Sequence, residues 1–182
     1  MFETLLNSLL EITESEYGFI GEVLHSPEGT PYLKTQAITN IAWNETTQAM
    51  YDQQAANGMV FDNLHTLFGA ALTSREPVIA NHPASDARSG KTPPGHPDMN
   101  SFLGVPFFNA RQVMVGMIGI ANRPGGYDAA LVGFLRPFLA TCGNLVEAYR
   151  NEKRRQSAEE TLVQLNKELE KHGLSRDKFY IT

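Results

Sequence analysis

Apolar positions recur with a helical period in four parts of the chain and with strand-like spacing between them. Phe2, Leu5, Leu6, Leu9, Leu10 and Ile12 fall near every third or fourth place, which predicts an amphipathic helix over 2–13. Tyr17 to Leu24 is a short aromatic and β-branched run, followed by the turn residues Ser26-Pro27-Glu28-Gly29 and a loosely alternating run from Tyr32 to Ile41. Two such runs about one turn predict a β-hairpin. A weaker helix is predicted over 44–57, closed by Gly58. Leu64, Leu67, Phe68, Ala71 and Leu72 form one apolar face at i, i+3, i+4, i+7 and i+8, with Asp62 or Asn63 at the N-cap position. Pro77 to Asn81 reads as a short strand.

The hydrophobic period then stops. From His82 to Asn100 the chain carries Pro83, Pro93, Pro94, Pro97, Gly90 and Gly95, a long loop of the kind that usually has a job. Ser101–Phe108 and Arg111–Ala121 are predicted strands about a tight turn at Asn109-Ala110. From Ala129 the helical period returns on two stripes. One is Val132, Leu135, Leu139, Cys142, Val146 and Tyr149; the other is Leu131, Phe134, Phe138 and Leu145. Two stripes call for two neighbours, the sheet and another helix. Pro137 lies inside this helix and predicts a kink or local break. Beyond Tyr149 the composition becomes densely charged, and only Ala158, Leu162, Leu165 and Leu169 sustain a heptad seam. So narrow a seam is not self-sufficient, and 151–172 reads as a coiled-coil linker after a domain spanning 1–150. Residues 173–182 read as the start of a following region. Strands and helices do not alternate as a parallel βαβ sheet requires, so the fold class is α+β with an antiparallel sheet.

Composition narrows the function. The net charge of −5 lacks the clustered basic surface that nucleic acid or an anionic membrane requires. No run approaches the ~20 apolar residues of a membrane span. The single cysteine, Cys142, makes neither an intrachain disulfide nor a cysteine-based zinc site and fits a reducing, cytoplasmic setting.

The motifs, taken in order, resemble GAF domains of bacterial sensor histidine kinases and diguanylate cyclases. They are Glu16-Tyr17-Gly18-Phe19-Ile20-Gly21-Glu22, Leu67-Phe68-Gly69-Ala70, Pro77-Val78-Ile79-Ala80-Asn81, Gly95-His96-Pro97, Phe102-Leu103-Gly104-Val105-Pro106, Gly116 to Asn122 and Arg123-Pro124-Gly125-Gly126-Tyr127. The resemblance implies a six-stranded antiparallel sheet with helices on both faces. One face would carry the first and last helices, through which such domains commonly form homodimers. The other would carry a ligand pocket, and the long C-terminal helix would pass a signal to an output kinase or cyclase domain in the same protein. It also bears on the ligand. Phytochrome-like members hold a bilin on a pocket cysteine, and the loop from His82 to Asn100 has none, so a covalent bilin is not expected. Methionine sulfoxide reductases of this type use several cysteines, and one cysteine on the last helix does not match them. Cyclic-nucleotide members carry an acidic pair where Leu131-Val132 stands here.

The expected site combines apolar walls with a few converging polar groups. Trp43, Phe61, Phe68 and Phe102, with Leu67, are candidate walls; Asn81, Asp86, Arg88 and His96 are candidate polar contacts. Each has a plainer reading, the aromatics as core and the polar residues as loop braces, with Trp43 evenly balanced between wall and core. His82, Asp86, His96 and Asp98 are ligating residue types on one loop, but their spacing matches no metal motif, and no metal or other cofactor is expected. No nucleophilic elbow or phosphate-cradling loop is present. The expectation is therefore a ligand-sensing regulatory domain rather than an enzyme, binding an unknown small molecule. The alternative is a ligand-free dimerisation or spacer module.

Overall fold

The computed structural model describes residues 1–39, 58–90 and 96–171. The helix predicted over 44–57, Trp43, and the stretch 173–182 lie outside them. The chain divides into two compact units, Met1–Val146 and Glu147–Thr182.

The first unit is built on a six-stranded sheet in the order β3-β2-β1-β6-β5-β4. Its strands are β1 (Tyr17–His25), β2 (Pro31–Ile38), β3 (Val60–Phe61), β4 (Val78–Ala80), β5 (Phe102–Phe108) and β6 (Met114–Ala121). Every pairing is antiparallel. β6, a central strand, is buried along its whole length, as expected of a strand covered on both faces. The helices are α1 (Phe2–Thr13), α2 (Leu67–Ser74), α3 (Ala129–Phe134) and α4 (Arg136–Lys171), with a single 3-10 turn at Pro83–Ser85.

Strand alternation sorts the core into two layers. Val23, Leu33, Val78, Ala80, Phe102 and Met117 pack with Leu67, Ala71 and Leu72 of α2. Residues of opposite parity, including Ile20, Leu103, Val105, Phe107, Ile118 and Ile120, are buried on the other face. Leu6 and Leu9 of α1 are also buried, as are Leu135, Leu139, Cys142 and Val146 at the α3–α4 end of the unit. Gly143 of α4 lies so close to the β5 terminus that a Cβ there would stand 2.3 Å from the Phe108 carbonyl oxygen.

The hydrophobic pattern does not predict the two-residue strand β3, and three further local details differ from the sequence reading. The α2 N-cap is Thr66, whose hydroxyl accepts from the Gly69 amide at 3.1 Å. Asn63 instead closes a turn of its own, accepting from the His65 amide at 3.0 Å, and Leu64 precedes the helix. The β5–β6 connection is broader than a tight turn at 109–110: the Asn109 carboxamide accepts from the amides of Arg111 and Val113, both at 3.0 Å, and β6 begins at Met114. An Asn side chain that mimics a backbone acceptor stabilises this wider loop. The break expected at Pro137 falls at Leu135, between α3 and α4. Pro137 therefore occupies the first turn of α4, where a missing N–H breaks no helical bond.

In the second unit residues 151–170 of α4 are exposed, while Glu147, Tyr149 and Arg150 are half-buried. Arg155 pairs with Glu152 at 2.8 Å and with Glu159, and the Lys153 ammonium lies over the Tyr149 ring at 5.2 Å. Leu162, Leu165 and Leu169 are 58%, 51% and 40% exposed.

Candidate functional site

The α2 side of the sheet gathers aromatic residues from four elements. The Phe61 ring on β3 lies 5.5 Å from Phe19 on β1 and 5.5 Å from Phe68 on α2, both at tilted angles. Phe102 on β5 is buried in the same cluster. Register explains the gathering. Tyr17, Ala121 and Phe102 form one row across β1, β6 and β5, and Phe19, Gly119, Gly104 and Val78 form the next row on the same face. Gly119 has no side chain, and the Phe19 ring occupies the space: a Cβ there would meet it at 2.4 Å. A Cβ on Gly104 would meet Met117 and Phe102. Glycine at these two places lets large neighbours fold onto bare backbone.

At the end of this face the His96 ring meets Tyr17 edge-on, with centroids 5.8 Å apart. His96 Nδ1 lies 2.8 Å from the Pro97 carbonyl oxygen, so that nitrogen carries the proton and donates. The Tyr17 hydroxyl is buried and has no hydrogen-bond partner among the described residues. Burial, then the nearby Glu16 carboxylate, pushes its pKa well above the ordinary phenol value. The surrounding loop is tied down by Asn122. Its side-chain nitrogen donates to Glu16 at 2.7 Å and to the Asp98 carbonyl at 2.9 Å, and its oxygen accepts from the Asn100 amide at 2.8 Å.

The remaining predicted polar residues sit elsewhere. Asn81 brackets the backbone of Tyr127: its Nδ2 donates to the Tyr127 carbonyl at 3.0 Å, and its Oδ1 accepts from the Tyr127 amide at 2.8 Å. Gly126 makes this possible, since it holds φ +80° and a Cβ would stand 2.6 Å from the Asn81 oxygen. Tyr127 in turn reaches Ser15, hydroxyl to hydroxyl, at 2.8 Å. Asp86 and Arg88 form a bidentate pair at 2.9 and 2.7 Å, and Arg88 also donates to the Ile79 carbonyl at 3.0 Å. The Arg88 hydrogen bonds hold the Asp86 carboxyl down at about 2.

The structure thus brings together Phe61, Phe68 and Phe102, sets His96 at the end of the same face, and engages Asn81, Asp86 and Arg88 in holding loops. Trp43 lies outside the described residues. Among those residues no group of three or more His, Cys, Asp or Glu side chains gathers as a metal site would require. Sequence reasoning did not single out Tyr17 and Phe19 for the site. Their signal was present in strand alternation, which puts both on the face shared with Val23. Cys142 is fully buried, and burial pushes its thiol up to about 12. Among the described residues no helix is long and apolar enough to cross a membrane.

Similar folds occur in solved structures. The GAF domain of an Acinetobacter phosphoenolpyruvate-protein phosphotransferase is 18% identical, with 84% of each chain covered and a TM-score of 0.61. The type II free methionine-R-sulfoxide reductase of Thermoplasma acidophilum is 14% identical over 80% of this chain and 89% of that one, TM-score 0.59. The GAF domain of a two-component sensor histidine kinase from Bacillus halodurans is 16% identical over 82% of this chain and 97% of that one, TM-score 0.50. No protein of curated function matches. The family model for the GAF domain matches residues 1–147. With that match, the sheet order and the aromatic face beneath α2 fall into place together: the chain belongs to the GAF domain family.

Proposed function

We propose that this chain is a cytoplasmic ligand-sensing regulatory domain of a bacterial signalling protein. It works as a homodimer through its first and last helices and couples a small molecule to an output kinase or cyclase domain in cis. The observation that carries this reading is α4. In its first part Leu139, Cys142 and Val146 are buried, whereas further along Leu162, Leu165 and Leu169 lie exposed at heptad spacing. A helix with a packed beginning and an unpartnered leucine seam is suited to reporting a change in the domain to a second copy of itself. A ligand shifts such a two-state system only through differential affinity for the two states. The residues proposed for the ligand are Phe61, Phe68, Phe102 and His96, joined by Tyr17 and Phe19. Trp43, outside the described residues, stays a candidate ligand contact, and Asn81, Asp86 and Arg88 are proposed to support the site by holding its flanking loops.

A regulatory role is favoured over thiol catalysis because the Cys142 thiol is buried and held at about 12, whereas a thiol nucleophile needs a lowered pKa and access. Native mass spectrometry with a thermal-shift screen against a metabolite panel tests the reading. A dimer that retains a discrete small molecule, or is stabilised by a panel member, is the expected result. An apo dimer that no metabolite stabilises would establish the alternative, a ligand-free dimerisation or spacer module.

A further inference from the structure

The face under α2 holds a polar group that the described residues leave unsatisfied. Tyr17 is only 7% exposed, yet its hydroxyl has no hydrogen-bond partner among the described residues, and buried polar groups are nearly always paired. Its neighbours define what could pair with it. The His96 ring stands edge-on to it, and because Nδ1 donates to Pro97, the free ring nitrogen is Nε2. Along the same face Phe102 lies in the Tyr17 row beyond Ala121, and Phe19 lies in the next row over Gly119. The Phe19 ring already covers Gly119, so this end of the face offers a flat ring the edges and faces of Phe19, Phe102 and His96, and aromatic groups prefer edge-to-face and offset contacts.

Charge decides the rest. After burial, the groups acting on the Tyr17 phenol are the Glu16 carboxylate, the Tyr127 phenol and the Asp98 carboxylate, and all three disfavour a further negative charge. Of the described arginines of the flanking loops, Arg88 is paired with Asp86, and Arg123, which donates from one terminal nitrogen to the Gly126 carbonyl at 2.8 Å and keeps a buried Nε without a partner among the described residues, is not among the groups acting on the Tyr17 phenol. A buried phenol kept neutral is a donor waiting for an acceptor.

We propose that the Tyr17 hydroxyl anchors a planar, uncharged aromatic ligand bearing an amide or ring-nitrogen acceptor, held edge-on to His96 above the Phe19 and Phe102 rows. This inference rests on the sensing role proposed above and assigns its ligand a chemical class.

Benzamide and benzoate differ by one charge at nearly constant shape, and they are the probes. Both are titrated into the full chain by NMR, into the wild type and into Tyr17→Phe. The expected result is that benzamide shifts the Tyr17 and His96 signals while benzoate binds at least tenfold more weakly. Tyr17→Phe should weaken benzamide at least fivefold, and without ligand it should melt at or above the wild-type temperature, because it deletes only an unpaired group. Benzoate binding as well as benzamide, undiminished binding to Tyr17→Phe, no binding of either probe, or a lowered melting temperature for unliganded Tyr17→Phe would each overturn the assignment. The metabolite screen separates the two levels. A charged metabolite that stabilises the protein while benzamide does not bind removes this chemistry and leaves sensing standing. A screen without any stabiliser removes sensing itself.

Discussion

Several single residues have effects that follow from where burial has placed them. Asn81 acts across 46 positions of sequence, fixing both backbone groups of Tyr127. Asn81→Ala leaves that amide and carbonyl without their partners, and the expected loss is about 1–3 kcal/mol. Chemical denaturation of the variant reads this as a lower midpoint at an unchanged slope. Three buried acids, Tyr17, Tyr127 and Cys142, are all pushed upward by burial, Tyr127 and Cys142 to about 12. A group whose folded pKa is raised contributes stability that is full below its unfolded value and is lost as pH rises toward the folded one. The denaturation midpoint should therefore hold steady from neutral pH until the ordinary thiol value near 9 and then fall progressively toward pH 12. Cys142 should resist a thiol-specific chromogenic reagent in the folded protein and react once the protein is unfolded. Fast native reaction at neutral pH would contradict its buried placement.

At the scale of elements, two glycines near the end of the first unit make opposite predictions for one substitution. Gly133 in α3 has nothing within 4 Å of an added Cβ, while Gly143 in α4 would drive one against the Phe108 carbonyl. Alanine is the better helix former by about 1 kcal/mol. Gly133→Ala should therefore stabilise the protein by about 0.5–1 kcal/mol. For Gly143→Ala the backbone oxygen cannot move aside as a flexible side chain would. Overpacking of about 1–3 kcal/mol outweighs the helical gain, so the melting temperature should drop. The two melting curves, measured side by side, must move in opposite directions. The α2 start gives a smaller effect: Thr66→Ala removes the hydroxyl that accepts from Gly69 and should lower stability by about 1 kcal/mol.

At the scale of the whole molecule the prediction concerns assembly. The seam at Leu162, Leu165 and Leu169 is exposed within its unit. Surface ion pairs such as Arg155–Glu152 contribute little on their own. In the homodimer proposed here, Leu162→Lys with Leu165→Lys places like charges at facing seam positions. Light scattering should then report a shift from dimer mass toward monomer mass, with far-ultraviolet circular dichroism losing helical signal from the linker. A variant that keeps the dimer mass would rule out assembly through this seam.

What the sequence determined on its own is what repeats over short distances. The stripe at Phe2, Leu6 and Leu9, the strands from Tyr17 and from Phe102, the break near Pro137 and the exposed leucine seam were legible because periodicity and backbone chemistry act between near neighbours. Phe68 and Phe102 lie in elements that the hydrophobic pattern predicts, whereas the two-residue strand that carries Phe61 has too short a period to be read from sequence. The tertiary structure decided everything that depends on which distant residues meet. Thr66 rather than Asn63 caps α2 because Asn63 is engaged in its own turn. Asn81 serves Tyr127, and Asp86 serves Arg88, although all of these side chains are equally fit to meet a ligand. Above all, the row pairing set Phe19 over Gly119 and left the Tyr17 hydroxyl buried without a partner among the described residues. Residue type states which bonds a side chain is able to make, and only long-range packing states which of them are already made.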